Sequence, residues 1–130
     1  NDGPEVELFL KAAGAKRGDP WCAAYVCHVM QAAGAEHPSA CAWSPSWFPS
    51  GRRVDNSRSV PGDVFGLYYQ NRGRIAHAGI IERWDGDVAI TIEGNTTDHS
   101  AIDERNRNGD GVHRKRRPAR TIYSISRWTP

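Results

Sequence analysis

Three cysteines and five histidines are the chain's candidate nucleophiles and bases. Cys22 follows Asp19-Pro20, a pair that marks the start of a helix. At that end the first N–H groups lack intrahelical partners and the macrodipole is positive. Both effects favour a thiolate, and such sites bring a cysteine pKa down from about 8.5 to about 3.5–7.5. The competing reading of Cys22 is a small buried hydrophobe. Cys27 falls in mid-helix, where the effect is absent.

A thiol nucleophile needs a base, and the base needs a group to orient it. His28 points to the polar side of the same helix, His37 precedes a proline, and His99 and His113 lie in or beside polar loop sequence. His77 instead opens an apolar strand, followed by Ala78, Gly79, Ile80 and Ile81. A satisfied core histidine is the alternative. Farther on, Glu93 and Asn95 share a face of the run 88–95 with Ala89 and Thr91, since side chains alternate along a strand. A two-residue Asp85-Gly86 loop would put His77 opposite Gly94, on the wrong face. A three-residue loop, Asp85–Asp87, pairs Trp84 with Val88 and sets His77 opposite Asn95, with Glu93 a diagonal neighbour. The longer loop, or a bulge that restores parity, is therefore expected.

The elements that position these residues follow from periodicity. Residues 4–13 suggest a short helix ending at Gly14. A second helix is expected from Pro20 to about Ala33, stopping at Gly34, with Cys22 near its third position. Cys22, Val26, Val29 and Ala33 form its apolar stripe, widened by Ala23, Cys27 and Met30, while Ala24, His28 and Gln31 face away. Residues 35–60 read as an irregular crossing pinned by Trp43, Trp47 and Phe48, with room for a short helix around Ser39–Trp43. Strands are expected at Val64–Tyr69, Ala76–Trp84, Val88–Gly94, Val112–Arg116 and Thr121–Trp128, the last two split by Pro118. Residues 98–111 read as a polar loop, and the Asp/Asn/Gly-rich stretch 106–111 lacks the EF-hand spacing. Helices followed by antiparallel strands indicate an α+β class.

At 130 residues the chain suits a single domain spanning 1–130. With 38% hydrophobic and 25% charged residues it has a globular rather than disordered balance. No apolar run is long enough for a membrane span, and no basic-then-apolar leader is visible. The chain opens on Asn1 rather than Met, as a processed product or an excised domain would. A net charge of +2 is too small to argue for nucleic acid, although Arg114, Lys115, Arg116, Arg117 and Arg120 crowd one late segment. No metal-ligand spacing is found, and neither metal nor cofactor is expected. Cys27 and Cys41 are read as two buried thiols, with a bridge between them as the alternative.

Four segments carry a family resemblance. Gly18-Asp19-Pro20-Trp21-Cys22-Ala23-Ala24-Tyr25-Val26 resembles the nucleophile helix of bacterial CHAP domains, relatives of the NlpC/P60 cell-wall peptidases. Pro61-Gly62-Asp63-Val64, Ile75-Ala76-His77-Ala78-Gly79-Ile80 and Ile92-Glu93-Gly94-Asn95-Thr96 resemble the later blocks, in the same order. The resemblance implies a papain-like fold with N-terminal helices on a mostly antiparallel sheet of five to six strands. It also implies cleavage of peptidoglycan amide bonds, by an N-acetylmuramoyl-L-alanine amidase or an endopeptidase. By position, Cys22 would be the nucleophile, His77 the base and then acid, Glu93 the group orienting the histidine, and Asn95 a supporting polar residue. The Cys22 N–H is a candidate oxyanion donor, and Asp19 or a residue of the 35–60 crossing a candidate second.

Asp19, Trp21, Trp43 and Trp47 are candidate substrate-binding residues, and Tyr68 and Tyr69 could line the same groove; core packing is the alternative for each aromatic. The basic run 114–117 is read as meeting anionic wall polymers or as a solvated hairpin. Peptidoglycan is the expected partner of a monomer acting in the cell wall or periplasm, with an immunity protein added if the chain is an antibacterial effector. A non-catalytic wall-binding module and a cysteine amidase or deamidase on other substrates are the rival functions.

Overall fold

The computed structural model describes residue 9, residue 11, residues 21–94 and residues 111–130. Asp19, Pro20, Asn95, His99 and most of the expected polar loop lie outside the described residues, as does most of the expected first helix; Phe9 and Lys11 are helical.

Helix α1 spans Cys22–Ala32. Its alanines favour helix, and its end is closed by a two-bond cap: Ala35 N–H donates to Met30 O (2.9 Å) and Gly34 N–H to Gln31 O (3.1 Å). The start differs from expectation. Trp21 has non-helical torsions (φ −122°, ψ 14°), and its carbonyl accepts the first helical bond from Tyr25 N–H at 2.8 Å. Cys22 is thus the first helical residue rather than the third, closer to the positive end. Cys22, Ala23, Ala24, Val26, Cys27 and Met30 are buried. Ala24 does not face away as expected, because Phe9, Trp21 and Tyr25 cover that side. Ala33, past the helix end, is exposed.

After α1 the chain makes no helix at Ser39–Trp43. It takes three short 3-10 turns instead, at Ser44–Trp47, Ser50–Arg52 and Asn56–Arg58. Pro45 opens the first of these at a position proline tolerates, and Pro49 separates it from the second. Five strands follow: β1 (Val64–Tyr69), β2 (Arg74–Asp85), β3 (Val88–Gly94), β4 (Val112–Pro118) and β5 (Ser124–Ser126). They form an antiparallel sheet in the order β4-β3-β2-β1-β5. The described residues are therefore α+β, with one helix of any length and five strands. β5 is shorter than expected because a 3-10 turn at Ala119–Thr121 follows Pro118, and β1 pairs only Val64–Gly66 with it.

Apolar clusters cover both faces of the sheet. Ala23, Val26, Cys27 and Met30 of α1 pack with Trp47, Phe48, Val64, Ala78 and Trp128. Phe65, Leu67, Ile81, Ala89, Ile122 and Ile125 pack together elsewhere. Val64 and Phe65 enter different clusters, as alternation along a strand requires. At the head of β1, fully buried Asp63 accepts from Arg127 Nε (2.8 Å) and Nη2 (3.0 Å) and from Val60 N–H (2.9 Å). The Pro61-Gly62-Asp63 block thus ties the entry of β1 to the chain's C-terminal segment.

The β2–β3 hairpin resolves the parity question by the second route. Asp85 pairs with Val88, leaving the two-residue loop Gly86-Asp87 rather than three residues. Gly86 supplies the left-handed torsion such a tight turn needs (φ +61°). The register then shifts between Ile81 and Arg83, so that Ile80 pairs with Ile92. The extra residue of this bulge returns His77 to the frame of Glu93.

Candidate active site

Cys22 lies at the N-terminus of α1, 5% exposed. His77, equally buried, comes from β2, and Glu93, with no exposure, from β3. His77 Nε2 meets Glu93 Oε1 at 2.7 Å. That contact leaves Nδ1 as the ring nitrogen available to Cys22. Gly79 makes the approach feasible. A Cβ there would lie 2.9 Å from Glu93 Cγ and 2.6 Å from the Phe65 ring. Glu93 reaches the histidine over the space that this missing side chain leaves.

Glu93 is held on its other side by residues that the sequence did not single out. Arg117 Nε donates to Oε2 at 2.8 Å and Arg117 Nη2 to Oε1 at 2.6 Å, a two-pronged grip. Thr91 Oγ1 donates to Oε2 at 2.5 Å. Thr91 shares a strand face with Glu93, which alternation already indicated. Arg117 depends on the pairing of β4 with β3, where it aligns with Ala89, and no local signal reveals that. The basic run is therefore neither wholly solvated nor free for wall polymers. Arg114 pairs with Glu82 (2.6 Å) and Arg116 with Asp85 (3.3 Å), while Arg117 turns inward.

The electrostatics follow this chain of contacts. Burial alone would push the Cys22 thiol up. Hydrogen bonding and charge from His77 outweigh it, with help from the Ala78 backbone and Ser44, and bring it down to about 7. Burial would likewise lower His77, but its bonds and charge interactions with Cys22 and Glu93 raise it to about 9. For Glu93, burial is outweighed by Arg117 and His77, which hold the carboxyl well below the usual carboxylate range. Between about pH 7 and 9 this arrangement favours a thiolate beside an imidazolium, braced by a carboxylate.

The other candidates separate by burial. Trp21 (1% exposed) and Trp47 (0%) are core residues, which corrects their reading as substrate contacts. Trp21 stacks on Phe9 and packs against Gly94, and Trp47 donates from Nε1 to Cys41 O at 2.9 Å. Trp43 is exposed, with the Arg74 guanidinium 4.1 Å from its ring centre. Tyr68 is exposed against Tyr123 and Tyr69 is half-buried. Asp19 and Asn95 lie outside the described residues. Among the other histidines, His28 packs on Phe9 and His113 is exposed on β4. Ser44 was also missed; its Oγ lies 3.7 Å from Cys22 Sγ, in a buried setting.

Cys27 and Cys41 form a disulfide rather than the two free thiols expected, their Cα atoms 5.6 Å apart. The sequence hides this because it requires the crossing to fold back on the middle of α1. Ligand atoms of Cys27, His37 and Cys41 lie within 4.8 Å of one another, but the bridge commits both sulfurs to each other. Cys22 is the free cysteine.

No curated protein and no solved structure matches the chain. A protein-family comparison matches residues 14–95 to the CHAP domain, more than half of the chain and a span containing Cys22, His77 and Glu93 but not Arg117. CHAP domains act generally as hydrolases of peptidoglycan. On that match, this chain belongs to the CHAP domain family.

Proposed function

We propose that the chain is a cysteine hydrolase that cleaves amide bonds of bacterial peptidoglycan, with Cys22 as nucleophile. The observation that carries this reading is the buried line of Cys22, His77 and Glu93, drawn from one helix and two strands, with Glu93 fixed by Arg117. A packing core has no use for a buried thiol beside an imidazole that is itself bonded to a carboxylate. General acid–base work on a thioester pathway uses all three. The arrangement of α1 on an antiparallel sheet supports the papain-like fold that the family resemblance implies.

In the first half-reaction the Cys22 thiolate attacks the amide carbonyl, and the His77 imidazolium protonates the departing amine. In the second, His77 takes a proton from water, the hydroxide attacks the thioester carbonyl, and the thiolate leaves. Glu93 keeps the imidazole oriented and stabilises its charged form. The Cys22 backbone N–H, at the first helical position and so without an intrahelical acceptor, is the donor this reading assigns to the developing oxyanion.

The test digests purified sacculi with wild type and Cys22→Ala and reads the products by mass spectrometry. Release of stem peptides with new amino groups on L-Ala identifies an amidase, and new amino groups at later stem residues an endopeptidase. Equal solubilisation by both proteins removes Cys22 from the mechanism. Binding of sacculi without products from either protein replaces the enzyme with a wall-binding module.

A further inference from the structure

Ser44 presents its hydroxyl 3.7 Å from the Cys22 sulfur, and both residues are 5% exposed. Water has little access to this pair, so the hydroxyl adds a third contact to a sulfur that already meets His77 and the Ala78 backbone. What places Ser44 there can be followed along covalent and hydrogen bonds. From Cys22, α1 runs to Cys27, and the disulfide crosses from Cys27 to Cys41. Cys41 O accepts from the Trp47 indole, and the turn Ser44–Trp47 begins three residues after Cys41. Trp47 is itself buried, and its carbonyl accepts from Trp128 Nε1 at 3.1 Å. The route from nucleophile to hydroxyl and back therefore closes through the bridge.

We infer that Ser44 is a positioning residue for the Cys22 nucleophile, and that the Cys27–Cys41 disulfide holds it in place, so that reducing the bridge weakens the site. This rests on the reading of Cys22 as nucleophile. The hydroxyl donates to the thiolate, adding to the stabilisation from His77 and the Ala78 backbone. It also fixes the sulfur's direction of attack. A dithiol reductant breaks the sulfur–sulfur bond, leaves one hydrogen on each cysteine sulfur and departs as its own cyclic disulfide. The segment bearing Ser44 then keeps its tryptophan contacts but loses its covalent tie to α1. The protein would be less reactive in a reducing compartment and reach full reactivity once oxidised.

The experiment compares wild type, Ser44→Ala, Ser44→Thr and the double variant Cys27→Ala/Cys41→Ala. Cys22 alkylation by iodoacetamide is followed against pH by peptide mass spectrometry, beside kcat and KM on solubilised peptidoglycan. Ser44→Ala should move the alkylation midpoint to higher pH and lower kcat about 3- to 10-fold with KM unchanged, the effect of one charge-assisted hydrogen bond at this longer distance. Ser44→Thr, which keeps the hydroxyl, should restore the midpoint. The double variant, and wild type treated with dithiothreitol, should shift in the same direction as Ser44→Ala. An alkylation profile and kcat for Ser44→Ala equal to wild type would overturn the inference. So would a lower kcat in the bridge-free protein with an unmoved midpoint, since that marks a bridge serving stability alone. Should Ser44→Ala fail to fold, dithiothreitol-treated wild type carries the decision by the same criterion. Alkylation needs no peptidoglycan, so a wild type that cleaves no wall defeats the proposed function while the midpoint still decides the role of Ser44.

Discussion

Replacing Arg117 by Met removes both charge-assisted bonds to a fully buried carboxylate while keeping an unbranched apolar stem. Glu93 then keeps only Thr91 and His77. Breaking a buried ion pair on one side costs about 3–5 kcal/mol. The Arg117 side chain is 23% exposed, so water can enter where it stood, which lowers the cost to about 2–3 kcal/mol. For a chain of this size that is a fall in melting temperature of roughly 6–12 °C at pH 7. The effect depends on pH in a set direction. The folded Glu93 carboxyl lies well below the usual carboxylate range, so its stabilisation is complete above the unfolded value near pH 4.3 and is lost as the pH falls below it. The gap between wild type and Arg117→Met should therefore be widest near neutrality and narrow below about pH 4. Thermal unfolding by circular dichroism across pH 3–8 measures it. In the same variant kcat should drop about tenfold, because His77 loses a rigid partner on Nε2. Melting within 1 °C of wild type at pH 7, or a gap that widens in acid, would refute the assignment of Arg117 as the clamp on Glu93.

Three further outcomes are expected. The pH profile of kcat/KM should be bell-shaped, rising near 7 as Cys22 ionises and falling near 9 as His77 loses its proton; a profile flat from 6 to 10 would break the thiolate–imidazolium reading. Gly79→Ala should lower stability by about 1–3 kcal/mol, as overpacking does, because its Cβ meets the Phe65 ring and Glu93 Cγ. Its activity at a temperature where it is folded should fall further, and wild-type turnover there would mean that Glu93 does not need that space. Asp63→Asn should weaken the grip of Arg127 on a fully buried group and reduce stability by about 1–3 kcal/mol, with KM unchanged; differential scanning calorimetry beside steady-state kinetics separates the two effects.

Local chemistry marked much of this protein in advance. Alternation and β-branched content located β1 and β3 to the residue, because period-2 patterning depends only on neighbours along the strand. Parity joined His77 to Glu93, although the device is a bulge at Ile81/Arg83 and not a longer loop. A one-residue slip changes every face, so the pattern demands some correction without saying which. Helix signals placed Cys22 in the first turn but missed its position by two, since the torsions of Trp21 are set by its packing on Phe9 and beside Gly94.

What tertiary structure alone decided are contacts between segments far apart in the chain. The Cys27–Cys41 bridge, the closeness of Ser44 to Cys22 and the burial of Trp47 all require the irregular crossing to fold back onto α1, and its composition carries no period to announce that. Arg117 is the plainest case. Read along the chain it is one of four consecutive basic residues, with nothing to distinguish it. Only the pairing of β4 with β3 turns it inward, where a fully buried carboxylate makes its charge worth holding.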